Sequence, residues 1–183
     1  AAAVGVPFTT ALRCLTRAKT TTNDAVLVLG AGGAVGSSAV QVARAIGCKR
    51  IFTATRDKRD NPDILLEGDI AAELQSKIPS LTNNQGVNVV IDTIGNLDIM
   101  NAAIQALAVK GRYAWIAAPK GGGSTEISFD IFAAYRKEIE LVGRNSGLAT
   151  TEDTAEEMQT LTRFFEQNLI HPRPESLMTV VNL

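Results

Sequence analysis

The sequence predicts an α/β fold, a doubly wound parallel sheet of the Rossmann type forming a single nucleotide-binding domain over residues 1–183. Three observations predict it. Apolar runs alternate with stretches of helical periodicity along the whole chain. The first run, Ala25-Val-Leu-Val-Leu29, passes through the glycine turn Gly30-Ala-Gly-Gly-Ala-Val-Gly36 into a helix. No internal repeat or low-complexity tract interrupts the alternation.

Each element has its own reason. Val26 to Leu29 is a continuous apolar run of the kind buried on both faces of a parallel sheet. Val35, Ala39, Val42 and Ile46 recur at helical spacing behind the turn, and Gly47 stops that helix. Arg50-Ile-Phe-Thr-Ala54 then supplies the second strand of a βαβ unit. A short run at Ile64 to Leu66, a helix from Asp69 to Ile78 and a strand from Val87 to Ile91 follow. Next come a helix from Leu97 to Ala108, a strand from Arg112 to Ala117 and a loop containing Gly121-Gly-Gly123. A short helix from Asp130 to Lys137, a strand from Ile139 to Val142 and a helix from Glu152 to Asn168 complete the chain.

The glycine turn points to a dinucleotide. Glycines let the backbone turn sharply and bring its N–H groups close to a pyrophosphate, and the start of the following helix favours negative charge. The best-fitting triplet is Ala31-x-Gly33-x-x-Gly36, with Gly30 at the strand end. The alternative is a turn that only packs strand against helix. Ligands of such sheets lie at the carboxyl ends of the strands, which directs attention to Gly30, Thr55, Asp92-Thr-Ile-Gly95, Ala117-Ala-Pro119 and Arg144-Asn-Ser146.

The end of the second strand selects the cofactor. NAD-binding units place an acid there, about 20 residues after the glycines, to accept hydrogen bonds from the ribose hydroxyls. Here that place holds Thr55, followed by Arg56. A hydroxyl beside a guanidinium suits a 2′-phosphate, which a carboxylate would repel. Lys58 and Arg59 are expected to add positive potential. The cofactor expected is therefore NADP(H), the alternative being that Arg56 is an ordinary solvated cation.

The remaining composition is restrictive mainly by what it excludes. With 18 basic and 19 acidic residues the net charge is −1, so neither nucleic acid nor an anionic membrane is expected as a partner. No run is long enough to cross a bilayer. Cys14 and Cys48 have no CxxC spacing and a single histidine, His171, to help them, which predicts two buried reduced thiols in a cytoplasmic protein and no metal site. His171 sits in a proline-bounded turn with no chemical role expected.

Several motifs occur together in the order found in the medium-chain dehydrogenase/reductases. They are Gly5-Val-Pro-Phe-Thr-Thr-Ala11, the glycine turn, Gly86-Val-Asn-Val-Val-Ile-Asp-Thr-Ile-Gly95, Gly111-Arg112 and Tyr135-Arg-Lys-Glu-Ile-Glu-Leu-Val-Gly143. Across nearly its whole length the chain resembles their coenzyme-binding domain, in the zinc-independent quinone oxidoreductase and enoyl reductase branch. The resemblance implies that Thr10 touches the nicotinamide side, Gly33, Ala34 and Val35 the pyrophosphate, and Thr93, Ile94 and Gly95 the adenosine side. It also implies that Ala117, Ala118 and Asn145 line the nicotinamide end. Thr10 could equally be the N-cap of a helix ending near Lys19.

Departures from the family carry information too. In its zinc-dependent alcohol dehydrogenases a cysteine ligand follows the glycine equivalent to Gly5; here Val6 stands there, which argues against the zinc-dependent alternative. Where the family has a full helix after the second strand, this chain offers only Asp57-Lys-Arg-Asp-Asn-Pro-Asp63. The start at Ala1 and the stop at Asn182-Leu183 fit a fragment of a longer reductase whose GroES-like substrate domain lies outside it. The resemblance implies hydride transfer from NADPH to a quinone, enone or aldehyde, and a homodimer joined through the last strand at one sheet edge. No catalytic proton donor can be assigned. Tyr113 and Tyr135 lack a lysine four residues later and read as packing residues. Of the rivals, a methyltransferase would need an acid at Thr55; a non-catalytic NADPH-binding protein with a structural or regulatory role stays open.

Overall fold

A computed structural model describes residues 5–172; both ends of the chain, including Ala1 and Asn182–Leu183, lie outside them. The elements run α1 (Gly5–Arg17), β1 (Ala25–Leu29), α2 (Ala34–Ile46), β2 (Arg50–Thr55), β3 (Ile64–Leu65), α3 (Ile70–Thr82), β4 (Val87–Asp92), α4 (Leu97–Gln105), β5 (Leu107–Trp115), α5 (Ile131–Lys137), β6 (Glu140–Gly143) and α6 (Thr151–Glu166). Single 3-10 turns occupy Lys58–Asp60 and Ser146–Leu148.

The six strands form one sheet in the order β3-β2-β1-β4-β5-β6, and every pairing is parallel. The chain starts in the middle, winds outward to β3, then returns to the other side of β1. That reversal opens a crevice between the carboxyl ends of β1 and β4. Strand alternation divides the core. Val26, Val28, Val89 and Ile91 pack with α1, α2 and Leu161 of α6, whereas Leu27, Leu29, Val90 and Tyr113 pack with Leu74 and Ile78 of α3 and Ile99 and Ala103 of α4. Both faces are covered, as the continuous apolar strands require.

Most expected boundaries hold to within a residue or two, and three differences have physical causes. The helix expected to reach Ala108 stops at Gln105, because Val87 N–H takes the Ala106 carbonyl at 3.1 Å and Lys137 Nζ donates to the Gln105 and Leu107 carbonyls, both at 2.8 Å. Leu107 thereby joins β5, whose register then shifts before Arg112 around Lys110, a residue at φ 58°. The helix expected to end at Ile78 runs on through Pro79 to Thr82, whose hydroxyl donates to the Ile78 carbonyl at 2.7 Å; Asn83 in the left-handed region then stops it. Thr10 is not an N-cap: it lies inside α1 and is buried.

Two further expectations concern single side chains. Cys14 and Cys48 are free and buried, and burial pushes the Cys14 thiol up to about 12. Tyr113 packs in the core as expected, but Tyr135 does not. It is 63% exposed on α5, edge to face with Phe132, because α5 contributes no buried residue.

Candidate functional site

The glycine turn follows from close packing of strand, helix and neighbouring loop. Gly30 ends β1 at φ 81°, and its N–H and that of Ala31 both donate to the Ala54 carbonyl, at 2.8 and 3.1 Å. A Cβ on Gly36 would lie 2.1 Å from the Gly30 carbonyl oxygen, so only glycine lets α2 start this close to the strand. Gly33 is the N-cap of α2, and no side chain caps the helix there. Ala34, exposed, and Val35, half-buried, form its first turn. Backbone donors and the positive end of the helix dipole thus meet solvent where a side chain would otherwise cover them.

The end of β4 closes against this turn. Thr93 Oγ1 donates to the Leu29 carbonyl at 2.8 Å, and a Cβ on Gly30 would meet that hydroxyl at 2.4 Å and Ile94 at 3.1 Å. Fully buried Asp92 accepts from the N–H groups of Ile94 and Gly95 through Oδ1, at 2.7 and 3.2 Å, and from Tyr113 Oη through Oδ2 at 2.8 Å. Burial pushes the Asp92 carboxyl and the Tyr113 phenol above their ordinary ranges. Gly95, at φ 72°, lies so close to Ala117 and Ala118 that a Cβ would sit 2.6 Å from the Ala117 carbonyl carbon. Beside it, a cavity of about 380 Å³ opens between the starts of α3 and α4, lined by Gly68, Asp69, Asn96 and Asp98 among others.

At the far end, Thr10 Oγ1 lies 3.4 Å from Ser146 Oγ, and exposed Asn145 accepts from Gly147 N–H at 2.9 Å. Arg13, almost wholly buried, braces this corner: it pairs with Glu157 and donates to Thr154 Oγ1 at 2.9 Å. Arg144 N–H donates to the Trp115 carbonyl at 2.9 Å, joining the ends of β5 and β6.

Apart from Thr10, which α1 carries, the site residues read from the sequence lie at the carboxyl ends of the strands, along one edge of the sheet and in strand order: Thr55 and Arg56 at the end of β2, Gly30 to Val35 after β1, Thr93 to Gly95 after β4, Ala117 and Ala118 after β5, Asn145 after β6. At about 4.8 Å between strands, that edge spans roughly 19 Å from β2 to β6.

The corner where a 2′-phosphate is expected from the sequence is less basic than that expectation. Lys58 is paired with Glu67 at 2.9 Å and Arg59 with Asp57 at 2.6 Å, and that pairing holds the Asp57 carboxyl down at about 2. Of the three cations at this corner only Arg56, exposed, makes no ion pair with another described residue. Nor is an acid absent. A Cβ on Gly32 would lie 2.4 Å from Asp60 Oδ2 and 3.0 Å from Thr55 Oγ1, so a carboxylate from the 3-10 turn faces the glycine turn beside the strand end. Asp60 was not legible because its position depends on how the segment after β2 folds. The Asp92–Tyr113 pair was equally hidden, although an acid at a strand end next to Thr93 is a signal that could have marked it.

A pyrophosphate fits this donor set; a zinc ion does not. Val6 is apolar, and among the described residues no three His, Cys, Asp or Glu side chains gather as metal ligands.

Comparison with known proteins agrees with the fold. Residues 34–166 match the family described as zinc-binding dehydrogenase. A zinc-type alcohol dehydrogenase-like protein of Schizosaccharomyces pombe is 37% identical over 91% of this chain and 48% of its own. A quinone oxidoreductase of Rattus norvegicus is 29% identical over 93% of this chain and 52% of its own. Among solved structures, the nucleotide-binding subdomain of the enoylreductase domain of PpsC from Mycobacterium tuberculosis superposes with a TM-score of 0.73 at 23% identity, covering 92% of this chain and 97% of that one. The chain spans about half the length of the curated relatives it matches.

Proposed function

The chain belongs to the zinc-binding dehydrogenase family, an oxidoreductase family, and on that premise we propose that it is the coenzyme-binding half of an NADPH-dependent reductase acting on a quinone or an enone. The observation that carries the proposal is the juxtaposition of an α2 N-terminus at Gly33 that no side chain caps with an exposed Arg56 at the neighbouring strand end that makes no ion pair among the described residues.

Each part of the edge has a task. Gly33, whose own N–H closes the turn on the Gly30 carbonyl at 2.9 Å, lets the pyrophosphate approach the N–H groups of Ala34 and Val35, while Arg56 and Thr55 hold the 2′-phosphate and Thr93, Ile94 and Gly95 the adenosine. Thr10, Ala117, Ala118 and Asn145 orient the nicotinamide and, with the buried Arg13 corner behind them, keep water from one of its faces. The bound cofactor supplies the hydride. The quinone and enone readings come from the names of the relatives, a quinone oxidoreductase and an enoylreductase domain. No zinc step is derived, since the residues present do not form a zinc site.

A homodimer and a cytoplasmic location belong to the same proposal. Among the described residues β6 is an edge strand, and Ile131, Phe132, Tyr135 and Leu141 are exposed around it. Such an edge is completed by a second copy pairing across a twofold axis. Buried free thiols suit a reducing compartment.

Replacing Arg56 with Ala tests the NADPH reading. It removes one or two charge-assisted hydrogen bonds worth about 1.5–3 kcal/mol each, so NADPH affinity should fall roughly ten- to a hundredfold. NADH affinity should hold. Equal losses for both nucleotides in a calorimetric titration would mean that Arg56 supports the loop and not the phosphate.

A further inference from the structure

We infer that Asp60 is a second nucleotide-discriminating residue, acting against Arg56 and so narrowing the preference for NADPH over NADH. The inference rests on the proposal that a nicotinamide dinucleotide lies along this sheet edge. Its ground is the convergence of Asp60 Oδ2 and Thr55 Oγ1 on the position a Cβ of Gly32 would take, 2.4 and 3.0 Å from it, at the place where β2 ends beside the glycine turn. That corner is where a dinucleotide-binding unit meets the adenosine ribose. A carboxylate there accepts hydrogen bonds from the two ribose hydroxyls of NADH and repels the 2′-phosphate of NADPH.

The placement is built and not a chance rotamer on a loose loop. Asp57 caps the 3-10 turn by accepting from Arg59 N–H at 3.0 Å, and its own N–H reaches Thr55 Oγ1 at 3.3 Å. Asn61 ends the turn in the left-handed region at φ 43°, its N–H on the Lys58 carbonyl at 3.1 Å. Asp63 then fastens the segment to β2, accepting from the N–H and hydroxyl of Thr53 at 2.7 and 2.9 Å. A full helix in this stretch would carry its acids away from the glycines; the short turn carries one back.

The local charges leave these two residues to decide. Lys58 and Arg59 are paired with Glu67 and Asp57, and the charged groups without an ion pair among the described residues at this corner are one guanidinium, Arg56, and one carboxylate, Asp60, which also feels the nearby Arg59. The first rewards the 2′-phosphate and the second rewards the bare diol.

The test is a titration of NADH and of NADPH into wild type and Asp60→Asn, which keeps the side-chain shape and removes the charge. NADPH should bind more tightly and NADH more weakly, each by about tenfold, as expected for a hydrogen bond to a charged group. Asp60→Ala, measured alongside, should give the same opposed shifts. Equal shifts for both nucleotides, in either direction, would overturn the inference, because they would mean that Asp60 only braces the turn or only obstructs it. No shift for either would overturn it as well. Failure of wild type to bind either nucleotide would overturn the underlying proposal and this inference together, whereas binding with an unchanged preference defeats the inference alone.

Discussion

Tyr113→Phe removes a single oxygen from the core, and its consequences can be worked through. That oxygen donates to Asp92 Oδ2 at 2.8 Å, and both side chains have no exposure. A hydrogen bond to a charged group contributes about 1.5–3 kcal/mol, and water cannot replace the donor at this depth. For a chain of this length that loss lowers Tm by about 3–12 °C near neutral pH. The pH dependence fixes the mechanism. Burial raises the folded pKa of Asp92 above its unfolded value, while the Tyr113 hydrogen bond lowers it, so the variant's carboxyl sits higher still. A raised carboxyl contributes stability below the unfolded pKa and loses it as pH rises through the folded pKa. The variant's deficit is therefore largest where wild-type Asp92 is ionised and shrinks as acidification neutralises the carboxyl in both proteins. Thermal melts of both proteins across the acidic to neutral range measure it. An unchanged Tm at neutral pH, or a deficit that grows on acidification, would refute the account of the pair.

Other perturbations have equally definite outcomes. Gly36→Val places a branched side chain on the Gly30 carbonyl, where even a Cβ would lie at 2.1 Å; it should cost about 1–3 kcal/mol and abolish nucleotide binding. Gly123→Ala, in open space, should leave both the melt and the titration unchanged. Adding Thr55→Asp to Arg56→Ala should invert the preference towards NADH, read from the ratio of the two dissociation constants. Sedimentation at tens of micromolar should show a dimer, and Leu141→Lys on the exposed edge strand should shift it towards monomer; a wild type that stays monomeric there would remove the β6 interface.

What could be read from the sequence was what local chemistry controls. The strand runs were legible because burial on both faces makes β1 apolar throughout and β4 apolar save for Asn88 and Asp92, and the glycine turn because close backbone approach forbids a Cβ at Gly36. The order of site residues along the edge followed from the rule that loops after parallel strands share one side of the sheet. What could not be read depended on contacts distant in sequence. The end of α4 at Gln105 is set by Lys137 and Val87, and α3 outlasts Pro79 because the Thr82 hydroxyl and Asn83 finish the last turn. Lys58 and Arg59 read as added positive potential because a string of letters does not show that Glu67 and Asp57 hold them. Asp60 was passed over for the complementary reason, that an acid beyond the expected position counts only when the turn folds back.

The most direct test of the central claim uses Trp115, the single tryptophan, which ends β5 between the Asp92 and Arg144 segments of the proposed cofactor edge. With tryptophan excited, adding NADPH should quench its emission and sensitise that of the reduced nicotinamide, saturating at one nucleotide per chain, and Gly33→Asp should suppress both changes by setting a negative side chain at the pyrophosphate. Tryptophan emission that stays unaltered as NADPH and NADH are raised to millimolar concentrations, or a saturable response that Gly33→Asp leaves intact, would contradict the placement of the cofactor along this edge.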